Sequence, residues 1–239
     1  MDAHIPEQRP SSAWTIALLD GFELRKDESP IGLTRDEERL VAFLALSGQR
    51  VIRSHAAGCL WIDQSQDRAL GNLRSAVWRL RRRAEGLIDA NTKYVSLLPE
   101  ATVDVEELTA ASRQVLDGSP ELQAGKWFDP DQFVVELLPG WSEEWMIVDR
   151  ERLRQRCLHT LEVLADIEMA RHDYPRAARA ALDAVTIDPL RESATRRLVS
   201  AFLADGNDVA AVHRFHQYAK LLDAELGLQP SRELANLVA

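Results

Sequence analysis

A chain of 239 residues, 46% hydrophobic and 28% charged, has room for two domains and a sizeable core, which excludes disordered and collagen-like classes. No apolar run approaches the roughly 18 residues of a membrane span. Residues 1–12 (MDAHIPEQRPSS) lack the basic start and apolar stretch of a secretory leader, so a cytoplasmic protein with a disordered tail at 1–12 is expected. The net charge of -9 excludes a protein that coats nucleic acid over its whole surface, but that charge is unevenly spread. Residues 1–100 carry 14 basic and 14 acidic side chains, so the acid excess belongs to residues 101–239. Within the first part, Arg68 to Arg83 holds six arginines and no carboxylate.

Trp14 to Leu19 and Gly21 to Leu24 read as short strands split at Asp20-Gly21, with Ile31 to Leu33 following a Ser-Pro turn. Thr34 with Glu37 forms a capping-box pattern, and Leu40, Val41, Phe43, Leu44 and Leu46 give an apolar face that stops at Ser47-Gly48. Ser54 is the expected cap of a short helix from His55 to Trp61. A polar turn, Asp63 to Asp67, leads into a longer helix over Arg68 to Arg83. Leu87 to Asp89 can pair with Lys93 to Leu98 across Ala90-Asn91-Thr92. Strands, three helices and a hairpin, in that order, make a winged helix-turn-helix.

Beyond Val105 the pattern is helical. His172-Asp173 and Asn207-Asp208 repeat at an offset of 35, with Ala177 over Val212 and Leu164 over Val199, and Pro189 to Glu192 is echoed by Pro230 to Glu233. A period near 34 residues is the mark of tetratricopeptide-like helix pairs.

On the arginine helix Leu70, Leu73, Val77 and Leu80 share one arc, which must face the core. Arg68, Gly71, Ser75, Trp78, Arg79 and Arg82 point the other way, with Asn72, Arg74 and Arg81 on the flanks. Six like charges on one helix repel one another unless a polyanion is the partner. Arginine matches guanine and asparagine adenine in the major groove, which suits Arg79 and Asn72 to base edges. Ser75 lets the helix approach, and Trp78 suits a sugar or a thymine methyl. Arg82, Arg83 and Lys93 suit phosphates.

These residues carry a resemblance. Leu60-Trp61, Ala69-Leu70, Val77 to Arg81, and Tyr94 with Leu97 are similar to the first domain of the Streptomyces antibiotic regulatory protein family of activators. Val103-Asp104-Val105, Leu137 to Trp141 with Trp145, Glu151 to Arg154, Asp188-Pro189 with Arg191-Glu192, and Glu225-Leu226-Gly227 with Pro230 resemble its bacterial transcriptional activator domain. The resemblance implies a fold that is mainly α with a small β component, in three stretches: the tail at 1–12, a winged helix-turn-helix DNA-binding domain at 13–100, and an all-α tetratricopeptide-like domain at 101–239. It also implies repeated promoter sites for duplex DNA, as in a secondary-metabolite or other pathway cluster, and recruitment of RNA polymerase through sigma or another subunit. A homodimer or tandem protomers on DNA are both open. The family usually has a serine at Trp78 and a glycine at Lys93, so base preference and wing contact do not carry over. With no ATPase, forkhead-associated or receiver segment following, a short, stand-alone member is expected.

No cofactor, metal or catalytic residue is expected. His213 and His216 lie three apart on a helix without a third ligand, and no phosphate loop, nucleophile elbow or redox cysteine pair is present. Cys59 and Cys157 stand alone as packing residues. Two rival readings are a repeat-type protein scaffold whose basic helix takes an acidic partner, and a ligand-responsive repressor with the same DNA-binding domain.

Overall fold

The computed structural model describes residues 14–119 and 128–239; the expected tail at 1–12 lies outside the described residues. Two compact units divide the chain, the first drawn from residues 1–107 and 136–150, the second from 108–135 and 151–239. The fold is mainly α with a small β component, a winged helix-turn-helix followed by an all-α tetratricopeptide-like domain.

The first unit opens with β1 (Trp14–Ala17), β2 (Glu23–Lys26) and β3 (Ser29–Pro30). Along β1, Trp14 and Ile16 are buried while Thr15 faces solvent, the alternation of a half-buried strand. Asp27 and Glu28, both at positive φ (47° and 71°), make the two-residue turn between β2 and β3. Helix α1 (Arg35–Ser47) follows, and its capping box forms as expected: the Thr34 N–H donates to Glu37 Oε2 at 2.7 Å. Gly48 ends α1 in the left-handed region at φ 60°.

Strand β4 (Val51–Ile52) runs straight into α2 (Arg53–Leu60). This helix starts before the Ser54 cap expected from sequence, because Ile52 is paired with Tyr94 and the Arg53 N–H donates to the Lys93 carbonyl at 3.0 Å. Helix α3 spans Gln66–Arg83, two residues longer at its start than expected. Strands β5 (Ile88–Ala90) and β6 (Tyr94–Leu97) form the wing hairpin, and β4 completes its sheet in the order β4-β6-β5. Leu40, Leu44, Leu60, Leu73 and Leu80 are buried where α1 and α2 meet α3.

Strand β7 (Ala101–Val103) lies parallel to β1, so the first sheet has the order β3-β2-β1-β7. Asp104, the first residue of α4 (Asp104–Leu116), accepts the Leu18 N–H (2.9 and 3.0 Å) and the Leu19 N–H (2.9 Å). Segment 136–150 returns to the same place. The Leu138 N–H donates to the Leu18 carbonyl and the Asp20 N–H to the Glu136 carbonyl, both at 2.8 Å. The Arg150 guanidinium donates to the carbonyls of Leu137, Leu138 and Trp141, and Leu137, Leu138 and Met146 are buried. The compact units therefore cut the chain differently from the expected boundary between 100 and 101. Val103 and Asp104, read from sequence as opening the second domain, are bonded into the first.

The second unit is built on α5 (Ile147–Ala170) from Glu151 onward, α6 (Tyr174–Ile187), α7 (Glu192–Ala204), α8 (Asp208–Leu226) and α9 (Arg232–Leu237). Asp173 caps α6 and Asn207 caps α8, each side chain accepting the N–H three residues on. The residue before each cap, His172 and Gly206, is at positive φ. These equivalent positions correct the repeat register to 34 residues, which superposes buried Ala177 on buried Ala211 and Leu164 on Leu198. Buried Glu162 on α5 receives Arg191 through two hydrogen bonds (2.8 and 3.0 Å), with Arg197 3.7 Å away. No helix among the described residues is long and apolar enough to cross a membrane.

Candidate nucleic-acid interface

Helix α3 buries Ala69, Leu73, Ala76, Val77 and Leu80, whereas Leu70, expected on the same core-facing arc, is half-buried and lines the cleft instead. Its other face meets the wing across an open cleft of about 820 Å³, lined by Ile52, Arg53 and Ser54 from the start of α2, by Leu70, Arg74, Val77, Trp78 and Arg81 from α3, and by residues 90–93 of the hairpin. Four cations, Arg53, Arg74, Arg81 and Lys93, line it and no carboxylate does. Burial lowers the Arg53 pKa below the ordinary arginine value, and the charges of Arg74 and Arg81 lower it further. Arg53 is thus repelled by both neighbours, an arrangement that an anion relieves.

The hairpin tip is fixed by Asn91, whose Oδ1 accepts the N–H groups of Lys93 and Tyr94 at 2.8 Å each. Arg53 Nη1 donates to the Asn91 carbonyl at 3.4 Å, and Arg81 Nη2 donates to the Ala90 carbonyl. The cleft walls are therefore tied together by the same arginines that charge it.

The sequence-selected residues fall into two groups. Arg68, Arg74, Ser75, Trp78, Arg82 and Lys93 are exposed, Asn72 is half-buried, and the Arg82 guanidinium stacks 4.9 Å from the centre of the Trp78 ring. Arg79 and Arg83 behave differently. Arg79, expected to project outward at mid-helix, turns back: its Nε donates to Glu37 Oε1 at 3.0 Å and its Nη2 lies 3.8 Å from Asp36. Arg83 donates to the Gly32 carbonyl at 3.3 Å and sits 3.6 Å from Glu37, whose side chain is fully buried. A buried carboxylate must be paired, and these two arginines pair it. The ion pairs continue from Asp36 to Arg39 (3.8 Å) and from Arg39 to Glu143 (2.8 Å).

Two cleft residues, Arg53 and Arg81, were passed over from sequence. Arg81 sat on a flank of the helical wheel. Arg53 reaches the site because β4 carries it beside the hairpin, and a two-residue strand has no periodicity to reveal it. His213 and His216 are exposed on α8, with His213 bonded to Gln217 at 2.8 Å. Cys157 is buried, which pushes its thiol up to about 11.

Residues 132–239 match the bacterial transcriptional activator domain family. Over 95% of its length the chain is 23% identical to the regulatory protein AfsR of Streptomyces griseus, and over 97% it is 23% identical to the AfsR of Streptomyces coelicolor. Over nearly its whole length the chain is thus similar to regulatory proteins of Streptomyces. The chain spans about a quarter of those curated relatives, 23% and 24% of their lengths. Among solved structures, Mycobacterium tuberculosis EmbR, in complex with a low-affinity phosphopeptide, superposes with a TM-score of 0.73 at 18% identity, over 95% of this chain and 64% of that one. At that identity the likeness establishes the fold.

Proposed function

We propose that this chain is a DNA-binding transcriptional activator that places α3 in the major groove and its β5–β6 wing on the adjoining backbone. The observation that carries this reading is the cleft with four cations and no carboxylate between α3 and the hairpin. Arg53, Arg81 and Lys93 hold phosphates, Arg74 and Asn72 reach base edges, and Arg68 and Arg82 flank the groove. Arg79 and Arg83 orient the helix through Glu37. The match of residues 132–239 to an activator domain supports recruitment of RNA polymerase as the output, from protomers in tandem on repeated promoter sites.

The test is retardation of a random duplex by the full chain across a salt series. Three phosphate contacts give a slope of log affinity against log salt of about -3. Arg81→Ala combined with Lys93→Ala should reduce its magnitude by about two. Absence of retardation at low salt would show that the cations serve an acidic protein surface instead.

A further inference from the structure

Among the described residues, α3 exposes one large hydrophobic side chain, Trp78, and leaves 59% of it in solvent. The indole stands between two hollows. On one side is the wing cleft with Arg53, Arg74, Arg81 and Lys93; on the other is a smaller space of about 320 Å³ shared with Arg74, Ser75 and Arg79. One face of the ring is occupied by the Arg82 guanidinium, 4.9 Å from its centre.

Resting on the DNA-binding reading above, we propose that Trp78 is a specificity residue that selects thymine by its C5-methyl group. Three observations lead there. A ring that slides between base pairs needs both faces free, and Arg82 holds one, so the indole meets the groove with its edge and remaining face. Among the base edges of the major groove the thymine methyl is the one projecting apolar group, cytosine offering only a C5–H at the same position. Packing the indole on the polar edge of any other base removes water without replacing its hydrogen bonds, which costs free energy. The cations on the cleft side fix the register of the helix and hold the indole over one base position.

The experiment uses the full chain. A duplex is selected from a randomised library, and each thymine in it is then replaced singly by deoxyuridine, which removes only the methyl group. Wild type should lose about fourfold in affinity at one thymine per half-site, the worth of burying one methyl-sized group at about 0.8 kcal/mol. Trp78→Ala should bind the thymine and deoxyuridine duplexes equally, while Trp78→Phe keeps the preference. Indifference of wild type to deoxyuridine at every position overturns the assignment, as does a preference that persists in Trp78→Ala. Failure to retain any library duplex even at low salt overturns the DNA-binding reading itself, a result distinct from the other two.

Discussion

Removing the Arg79 guanidinium leaves the fully buried Glu37 carboxylate with the Thr34 N–H at 2.7 Å and Arg83 at 3.6 Å. Because a buried acceptor stripped of its strongest donor keeps its desolvation cost, Arg79→Ala should lower the unfolding free energy by about 1–3 kcal/mol. Arg74→Ala removes an exposed side chain from the cleft and should leave stability within about 0.5 kcal/mol while weakening duplex binding. Urea unfolding and gel retardation on both variants separate the roles, and equal stability of the two would remove Arg79 from its anchoring place. The wheel placed Arg79 outward because it tracks the direction of Cα–Cβ, whereas a guanidinium on a three-carbon stem can reach back over its own helix. Its partner lies 42 positions earlier in the chain, a distance at which no local pattern is visible. The capping box that holds this partner was legible, since Thr34 and Glu37 are three residues apart and the interaction is local.

At the level of elements, the β1–β7 pairing decides what can fold alone. A fragment ending at residue 100 lacks β7, the Asp104 carboxylate on the Leu18 and Leu19 N–H groups, and the buried Leu137, Leu138 and Met146. Residues 13–100 should therefore unfold at a lower temperature than residues 13–150, as thermal melting would show; equal melting points would mean the later segments contribute nothing. The wing hairpin and three helices were readable because their turns, caps and apolar spacing are contiguous in sequence. β7 was not, since it is three residues long and parallel to a strand more than 80 positions earlier. In the second unit, burial disfavours the Glu162 charge, yet its hydrogen bonds from Arg191 and Ser193 and the charges of Arg191 and Arg197 win, holding its pKa below the ordinary value. A depressed folded-state pKa contributes stability that is present above the unfolded value, about 4.3 for glutamate, and is lost as pH falls through the folded value. Glu162→Gln should be less stable than wild type at neutral pH, with the gap closing below roughly pH 4. A gap that stays constant into acid would show that the carboxylate charge is not what holds Arg191.

For the whole molecule, charge and fold are partitioned differently: the cation-lined cleft lies in the first unit, yet that unit also takes in the acidic segments 101–107 and 136–150 from the part of the chain, residues 101–239, that holds the entire net charge of -9. A chain ending at residue 150 keeps every described segment of the first unit and should still retard duplex DNA, but should lose transcription from a reporter promoter. Undiminished transcription from that chain would remove the recruiting role of the second unit. The brevity of the outer strands has a consequence for crowding. Among the described residues the first sheet is bounded by β3, two residues long and ending in Pro30, and by β7, three residues long. Neither offers a run of free N–H and C=O groups on which a neighbour's strand could template. Copies of this chain held side by side at high local concentration can therefore stay separate, soluble molecules instead of fusing edge to edge into an aggregate.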